Sequence, residues 1–272
     1  MTELQKAERN ILASTLNVID ELKLTYFLVC GSALGAAKYG GFIPWDDDID
    51  IAMPRKDYSI FCEKAGELLP SYLFLQNCHT EKKYPYIFSK VRDSRTTYME
   101  KVMAKLDINH GVYIDIFPLD GYPDDLQEQQ RLEKQKRKHQ LIYLSCLQNQ
   151  LSWKLRMLVF AEKMIGIPTR AAKYARKFEQ IISAYSLEKS KYWCNHGNWQ
   201  GKLEYAPREQ YGNGTWATFE GLRVRIPEQY DEYLTQKYGD WQADLPEEHK
   251  KGHHYYEICD LERPYTYYSH MY

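Results

Sequence analysis

The chain has 272 residues, 44% of them apolar and 27% charged, enough to bury one large core or two small ones. Its net charge of −1 gives no bulk reason to bind nucleic acid. Six cysteines with no C-x-x-C pair, a polar start (MTELQKAERN) and no run of 18 apolar residues read as a reduced, cytoplasmic protein without signal peptide or membrane span. His249, His253, His254 and Cys259 lie close together but lack zinc-ribbon spacing, and read as surface residues.

Leu4, Ala7, Ile11, Leu16, Ile19 and Leu22 recur at helical spacing and predict a helix over residues 3–23. Tyr26–Gly31 (YFLVCG) then reads as a buried strand, SALGAAKYG as a short helix and GGFIP as a turn. DDDIDIAM alternates as a strand does, and Lys56–Leu69 is helical. Two more strands, in YPYIFSKVRD and GVYIDIFPLD, complete a first part, residues 1–122. Residues 123–190 change character: they are helix-rich and nearly free of glycine. Arg131 to Lys177 holds 12 Lys/Arg and two Glu, a charge of +10 that leaves −11 for the rest. Residues 191–272 are rich in loops and aromatics, with one helix in EQYDEYLTQKYGD, and are expected to pack on the first part. The pattern is α+β: a mixed sheet with flanking helices and a helical insertion.

The sequence PWDDDID sets four carboxylates between apolar flanks. On a strand, Asp46, Asp48 and Asp50 share one face while Ile49, Ile51 and Met53 share the other. Carboxylates about 7 Å apart along a strand repel one another, and a divalent cation relieves that repulsion. A solvated acidic turn is the plain alternative. A calcium EF-hand loop is excluded, because its sixth and twelfth positions fall on Ile51 and Asp57 instead of Gly and Glu. Context favours the metal. Asp115 is a lone carboxylate in another alternating strand, where it needs a partner. Gly31 and Ser32 stand where a strand turns into a helix, a place that offers N–H groups and a hydroxyl to a phosphate. Lys90 and Arg92 alternate on one strand face, either solvated or set to neutralise phosphate.

Strand, Gly-Ser, helix, turn, D-x-D strand and a later strand Asp together resemble the nucleotidyltransferase superfamily. More specifically, GSALGAAKYGGFIPWDDDIDIAMPRKDY resembles the signature of the LicD family, related to fukutin, and FSKVRDSRTTY, GVYIDIFPLDGYP, FEG and YLTQKYGDW resemble its later blocks, over about residues 20–255. The resemblance implies a nucleotidyltransferase-like mixed sheet and an enzyme that moves phosphocholine from CDP-choline to a hydroxyl of a cell-surface glycan, a teichoic acid or lipopolysaccharide precursor, releasing CMP. Fukutin relatives use CDP-ribitol, so another CDP-alcohol (ribitol or glycerol) is the alternative donor. A D-x-D glycosyltransferase is a more distant one. The implied metal ligands are Asp48, Asp50 and Asp115, joined by Asp46, for one or two Mg2+ ions with Mn2+ able to substitute. Gly31, Ser32, Lys90 and Arg92 would face the donor's phosphates. Trp45, Tyr39, Tyr84, Tyr86 and Tyr113 are candidates to hold the quaternary ammonium of choline, though any one of them alone reads more readily as core. The acceptor is expected to be lipid-linked. The basic stretch 131–177, with the apolar Gln140–Phe160 inside it, is then either a helical subdomain packed on the core or a peripheral surface for the inner membrane leaflet.

Overall fold

The computed structural model describes residues 1–146, 157, 160, 164, 166, 170–197, 204–250, 252 and 255–271. Most of the apolar stretch 140–160, and His253 and His254, lie outside the described residues.

A mixed sheet orders its strands β1-β2-β6-β4-β3. These are β1 (Phe27–Leu28), β2 (Asp50–Pro54), β3 (Leu73–Gln76), β4 (Ser89–Asp93) and β6 (Val112–Tyr122). β2 and β6 run parallel; the other pairings are antiparallel. β5 (Thr97–Glu100) pairs instead with β11 (Tyr256–Asp260). β7 (Tyr192–Cys194) pairs with the far end of β6 and with β8 (Tyr205–Pro207), while β9 (Thr215–Phe219) and β10 (Leu222–Ile226) form a hairpin. The segment after residue 191 is thus joined to the first part by two separate strand pairings.

The helix α1 (Glu3–Glu21) starts where Thr2 and Gln5 cap each other's backbone N–H groups. It lays Ile11, Leu12, Leu16 and Ile19 into the core, against β4 and β6. α2 (Cys30–Tyr39) ends at Gly40, whose φ of 66° is a left-handed stop that glycine adopts without strain. α3 (Arg55–Leu68) covers β2, β3 and β6. α4 (Leu126–Cys146) and α5 (Ala171–Ile182) pack on each other, with Leu132, Ala172, Ala175 and Phe178 in a second, smaller core. α6 (Tyr230–Tyr238) leans on α2. The result is a mixed α+β protein with a mixed sheet and flanking helices.

Three strands are shorter than expected, the one read over YPYIFSKVRD being only Ser89–Asp93, and the other two lie at the acidic segment. The strand read over Tyr26–Gly31 is only Phe27–Leu28, because Cys30 already opens α2 with a φ of 52°. The strand read from Asp46 begins at Asp50. The chain before it still reaches β6, since the Asp115 N–H donates to the Ile49 carbonyl at 2.8 Å.

Candidate active site

One register row runs across three strands: Asp50 on β2 is paired with Asp115 on β6, and Asp115 with Lys90 on β4. Directly paired residues share a sheet face, so these three side chains stand together. On the other face, Ile51 pairs with Ile116, and Val91 with Ile114, all fully buried. The alternation of β2 and β6 therefore carries the carboxylates to one side and anchors the strands by the other. Asp46, Asp48, Asp50 and Asp115 all line a cavity of about 590 Å3. Asp47 is not among the lining residues; its carboxylate lies against Gly252.

Two local devices hold the acidic segment. The Gln5 amide, already part of the α1 cap, donates to the Asp46 carbonyl at 2.8 Å. The Ser32 hydroxyl accepts the Asp50 backbone N–H at 2.8 Å. Ser32 is buried and does not line the cavity, so its place is beneath the carboxylates. Gly31 does line it, at the N-terminus of α2. A Cβ there would come within 2.6 Å of Asp46 Oδ2, so only glycine lets the carboxylate approach the helix start. Cys30, just before, holds its left-handed backbone at a cost of about 1–3 kcal/mol, the kind of strain found where a turn serves a site.

Lys90 and Arg92 part company. Lys90, 2% exposed, lines the cavity and places its ammonium 2.8 Å from Asp115 and 3.6 Å from Glu100. Arg92 lies two residues further along the same face, fully buried and not among the lining residues. Its guanidinium donates to the Gly111 carbonyl at 2.7 Å, to Glu100 at 2.9 Å and to Gln76. Burial raises the Asp115 carboxyl, while the Lys90 ammonium pulls it down.

Aromatic rings form the wall beside this row. The Lys90 ammonium sits 3.4 Å from the Tyr113 ring centroid, and 5.6 and 5.7 Å from those of Tyr86 and Phe88. Phe117 and Tyr143 continue the wall, with ring centroids 4.5 Å from Phe88 and 5.0 Å from Tyr86. Trp45 and Tyr39 line the cavity elsewhere, edge to face at 6.5 Å. Tyr84 is buried and does not line it.

Several lining residues had no role from the sequence. Glu100, at the end of β5, is a fifth carboxylate, and its short strand bears no local mark of a site. Lys237, Tyr238 and Trp241 come from the last turn of α6 and the loop beyond it, inside YLTQKYGDW, which resembled a family block but suggested no contacts. Lys237 pairs with buried Glu204 at 3.1 Å. Lys38 donates to the carbonyls of Gln242 and Ala243 at 2.9 and 2.8 Å, clipping the 241–245 loop to α2.

The donor set of the row fits a hard divalent cation: its donors are all carboxylate oxygens and they face one cavity, where Asp115 Oδ1 now meets the Lys90 ammonium. Among the described residues, the ligand atoms that gather within 4.8 Å of one another are those of Cys78, His79 and Glu179, outside the cavity, and not those of the aspartates. Glu179 there also pairs with Arg55 at 2.9 Å.

The family model described as LicD/FKTN/FKRP, nucleotidyltransferase domain, matches residues 23–170, which contain every carboxylate of the row. The lipopolysaccharide cholinephosphotransferase LicD of Haemophilus influenzae (strain ATCC 51907 / DSM 11121 / KW20 / Rd) is 28% identical over 257 residues, 93% of this chain and 95% of that one. With its signature segment folded around the carboxylate cavity and the family model spanning more than half its length, the chain belongs to the LicD family.

Proposed function

We propose that the protein transfers phosphocholine from CDP-choline to a hydroxyl of a cell-surface glycan of lipopolysaccharide or teichoic acid type, with release of CMP. The observation that carries this reading is one cavity with a carboxylate row on its floor and, beside it, an aromatic wall that already receives a cation. Carboxylates alone would suit any nucleotide-sugar or nucleotide-alcohol enzyme. Faces of Tyr113, Tyr86 and Phe88 turned to an ammonium suit a quaternary ammonium substrate in particular. The similarity along nearly the whole chain to a protein named a lipopolysaccharide cholinephosphotransferase supports phosphocholine as the group transferred.

In the reaction, the acceptor oxygen attacks the choline-bearing phosphorus of the donor. The bond from that phosphorus to the bridging oxygen breaks, and CMP leaves with the electron pair. Asp48, Asp50 and Asp115, with Asp46 beside them, are the residues that would hold Mg2+ or Mn2+, which when bound neutralises charge on the diphosphate and on the departing CMP. The Gly31 end of α2 offers its helix N-terminus to a phosphate. Lys90 supplies a positive charge at the floor, and Asp115 accepts the proton of the attacking hydroxyl. The aromatic wall holds the trimethylammonium group and orients the phosphorus.

The test is incubation with CDP-choline, CDP-ribitol or CDP-glycerol, a divalent cation and a glycan acceptor, with CMP as the readout. Release confined to CDP-choline is expected. Preference for CDP-ribitol or CDP-glycerol would replace the donor assignment, and release from sugar nucleotides would replace the reaction class.

A further inference from the structure

A second cavity, of about 360 Å3, is lined by α3, by the turn after β3 and by α5, and shares no residue with the carboxylate cavity. Cys78, His79 and Glu179 all line it. The turn that carries the first two is fixed from both sides. Asn77 Oδ1 accepts the backbone N–H groups of His79 and Thr80 at 2.8 and 3.1 Å, and Arg176 donates to the Cys78 carbonyl. Arg176 and Glu179 are three residues apart and share a face of α5. One helix face thus pins the turn and brings a carboxylate to it. The two oxygens of that carboxylate divide their work. Glu179 Oε1 accepts from Arg55 at 2.9 Å, and Arg55 is itself held by buried Asp120 at 2.6 and 2.7 Å. Glu179 Oε2 is left to face His79 Nε2 at 2.9 Å and Cys78 Sγ at 3.9 Å. Cys62 lines the same cavity but meets the Ser89 hydroxyl, at 3.4 Å.

We infer that Cys78 Sγ, His79 Nε2 and Glu179 Oε2 bind a zinc ion, with a fourth position open to the cavity. Sulfur, imidazole nitrogen and one carboxylate oxygen form a borderline-soft donor set, which suits Zn2+ and not the Mg2+ or Ca2+ that prefer oxygen alone. Around a tetrahedral zinc, with bonds of about 2.0–2.3 Å, ligand atoms stand roughly 3.2–3.8 Å apart. The three atoms here lie within 4.8 Å of one another, so small side-chain rotations close the set. Arg55 acts as the outer partner that aims the carboxylate, as hydrogen-bonded neighbours of metal ligands do. Cys78 binds as the thiolate, its proton passing to solvent, and neutral His79 keeps its hydrogen on Nδ1. The His79 side chain is 58% exposed, which leaves the ion a way in. The inference goes beyond the proposed function: the ion ties the turn after β3 to α5, and so the helical segment to the main sheet, at a distance from the reaction.

The experiment uses Co2+ as the probe, because the carboxylate row also suits a divalent ion but offers it no sulfur. The full chain is stripped with chelator, kept reduced with a phosphine, and titrated with Co2+ in excess Mg2+, which competes for the carboxylates. Sulfur-to-cobalt charge-transfer absorption in the near ultraviolet is expected, saturating at a single ion per chain and quenched by an equal amount of Zn2+. Cys78→Ser should abolish the band, and Asp50→Asn should keep it. His79→Ala should weaken Co2+ binding by about tenfold or more, since the loss of an outer partner alone costs about that much. The exposed His79 can be replaced with circular dichroism unchanged, so this variant carries the test if Cys78→Ser is unstable. Absence of the band in the wild type overturns the inference, as does a band that neither substitution changes. His79→Ala should keep CMP release with Mg2+. Failure of CMP release with every donor would refute the proposed function while leaving the cobalt result standing.

Discussion

Arg92 separates two roles that look identical in sequence. A diphosphate-binding arginine would reach the cavity, and its loss would raise the donor KM in a protein of normal stability. The structure instead buries its whole side chain and engages the guanidinium with Gln76, Gly111 and Glu100. Replacing Arg92 with Met takes away the 2.9 Å ion pair of the buried Glu100 carboxylate and leaves it the longer, 3.6 Å contact to Lys90. Breaking a buried pair from one side costs about 3–5 kcal/mol. With a denaturant slope of about 2–3 kcal/mol per M, that moves the urea midpoint down by roughly 1–2.5 M. Arg92→Met/Glu100→Met removes both charges, and the double variant should recover about 1–3 kcal/mol relative to the sum of the singles. The assay is urea unfolding followed by tryptophan fluorescence, with donor KM measured in parallel on protein that is folded without urea. A midpoint unchanged in Arg92→Met, together with a raised donor KM, would refute the structural assignment and return Arg92 to the phosphates.

Asp48→Asn, Asp50→Asn and Asp115→Asn should each lower turnover by several orders of magnitude with circular dichroism preserved, and EDTA should abolish CMP release until Mg2+ is restored; near-normal turnover in any one of them removes that residue from the site. Tyr113 stands closest to the Lys90 ammonium, at 3.4 Å, and cation–π contacts are worth up to about 2 kcal/mol when desolvated. Tyr113→Leu should therefore raise the KM for CDP-choline by up to roughly thirtyfold. Equal use of CDP-choline and CDP-ethanolamine by the wild type would eliminate the cage. Burial lowers the imidazole of His139, stacked on Phe178, to about 4. The unfolded chain then takes up a proton near pH 6.5 that the folded chain refuses, so stability falls on acidification from pH 6.5 towards 4. His139→Phe keeps the stack and removes the titration. Between pH 7.5 and 5 it should gain about 2 kcal/mol relative to wild type in urea midpoints, and a pH-independent difference contradicts the assignment.

What could be read in advance came from local periodicity. Alternation in DDDIDIAM and GVYIDIFPLD says which side chains share a face, and Asp46, Asp48, Asp50 and Asp115 do line one cavity. Even the late start of β2 at Asp50 leaves this intact, because Ile49 is held to β6 through its carbonyl and Asp50 by the Ser32 hydroxyl. Ser32 shows the limit of the same reasoning. A hydroxyl at a strand-to-helix turn can meet a phosphate or a backbone N–H, and the choice depends on where the chain returns 18 residues later. Lys90 and Arg92 have equal claims by period, yet register decides between them. Lys90 is paired with Asp115, whereas Arg92 is paired with Tyr113 and meets Glu100.

Glu100 itself could not be found locally, because its strand pairs with residues 256–260 and not with its neighbours in the main sheet. The aromatic wall is harder still, since Tyr86, Phe88, Tyr113, Phe117 and Tyr143 come from three stretches of chain and each alone reads as core. They become a cation site only when Lys90 stands among them. That arrangement ties the two halves of the proposed chemistry together. The ammonium that neutralises the floor carboxylates and the rings that would take choline's charge are neighbours at 3.4 Å, so substitutions on either side should be non-additive in donor KM. Lys90→Met combined with Tyr113→Leu is the variant pair in which to measure it. Additive effects on KM would mean that the wall and the floor serve different parts of the donor.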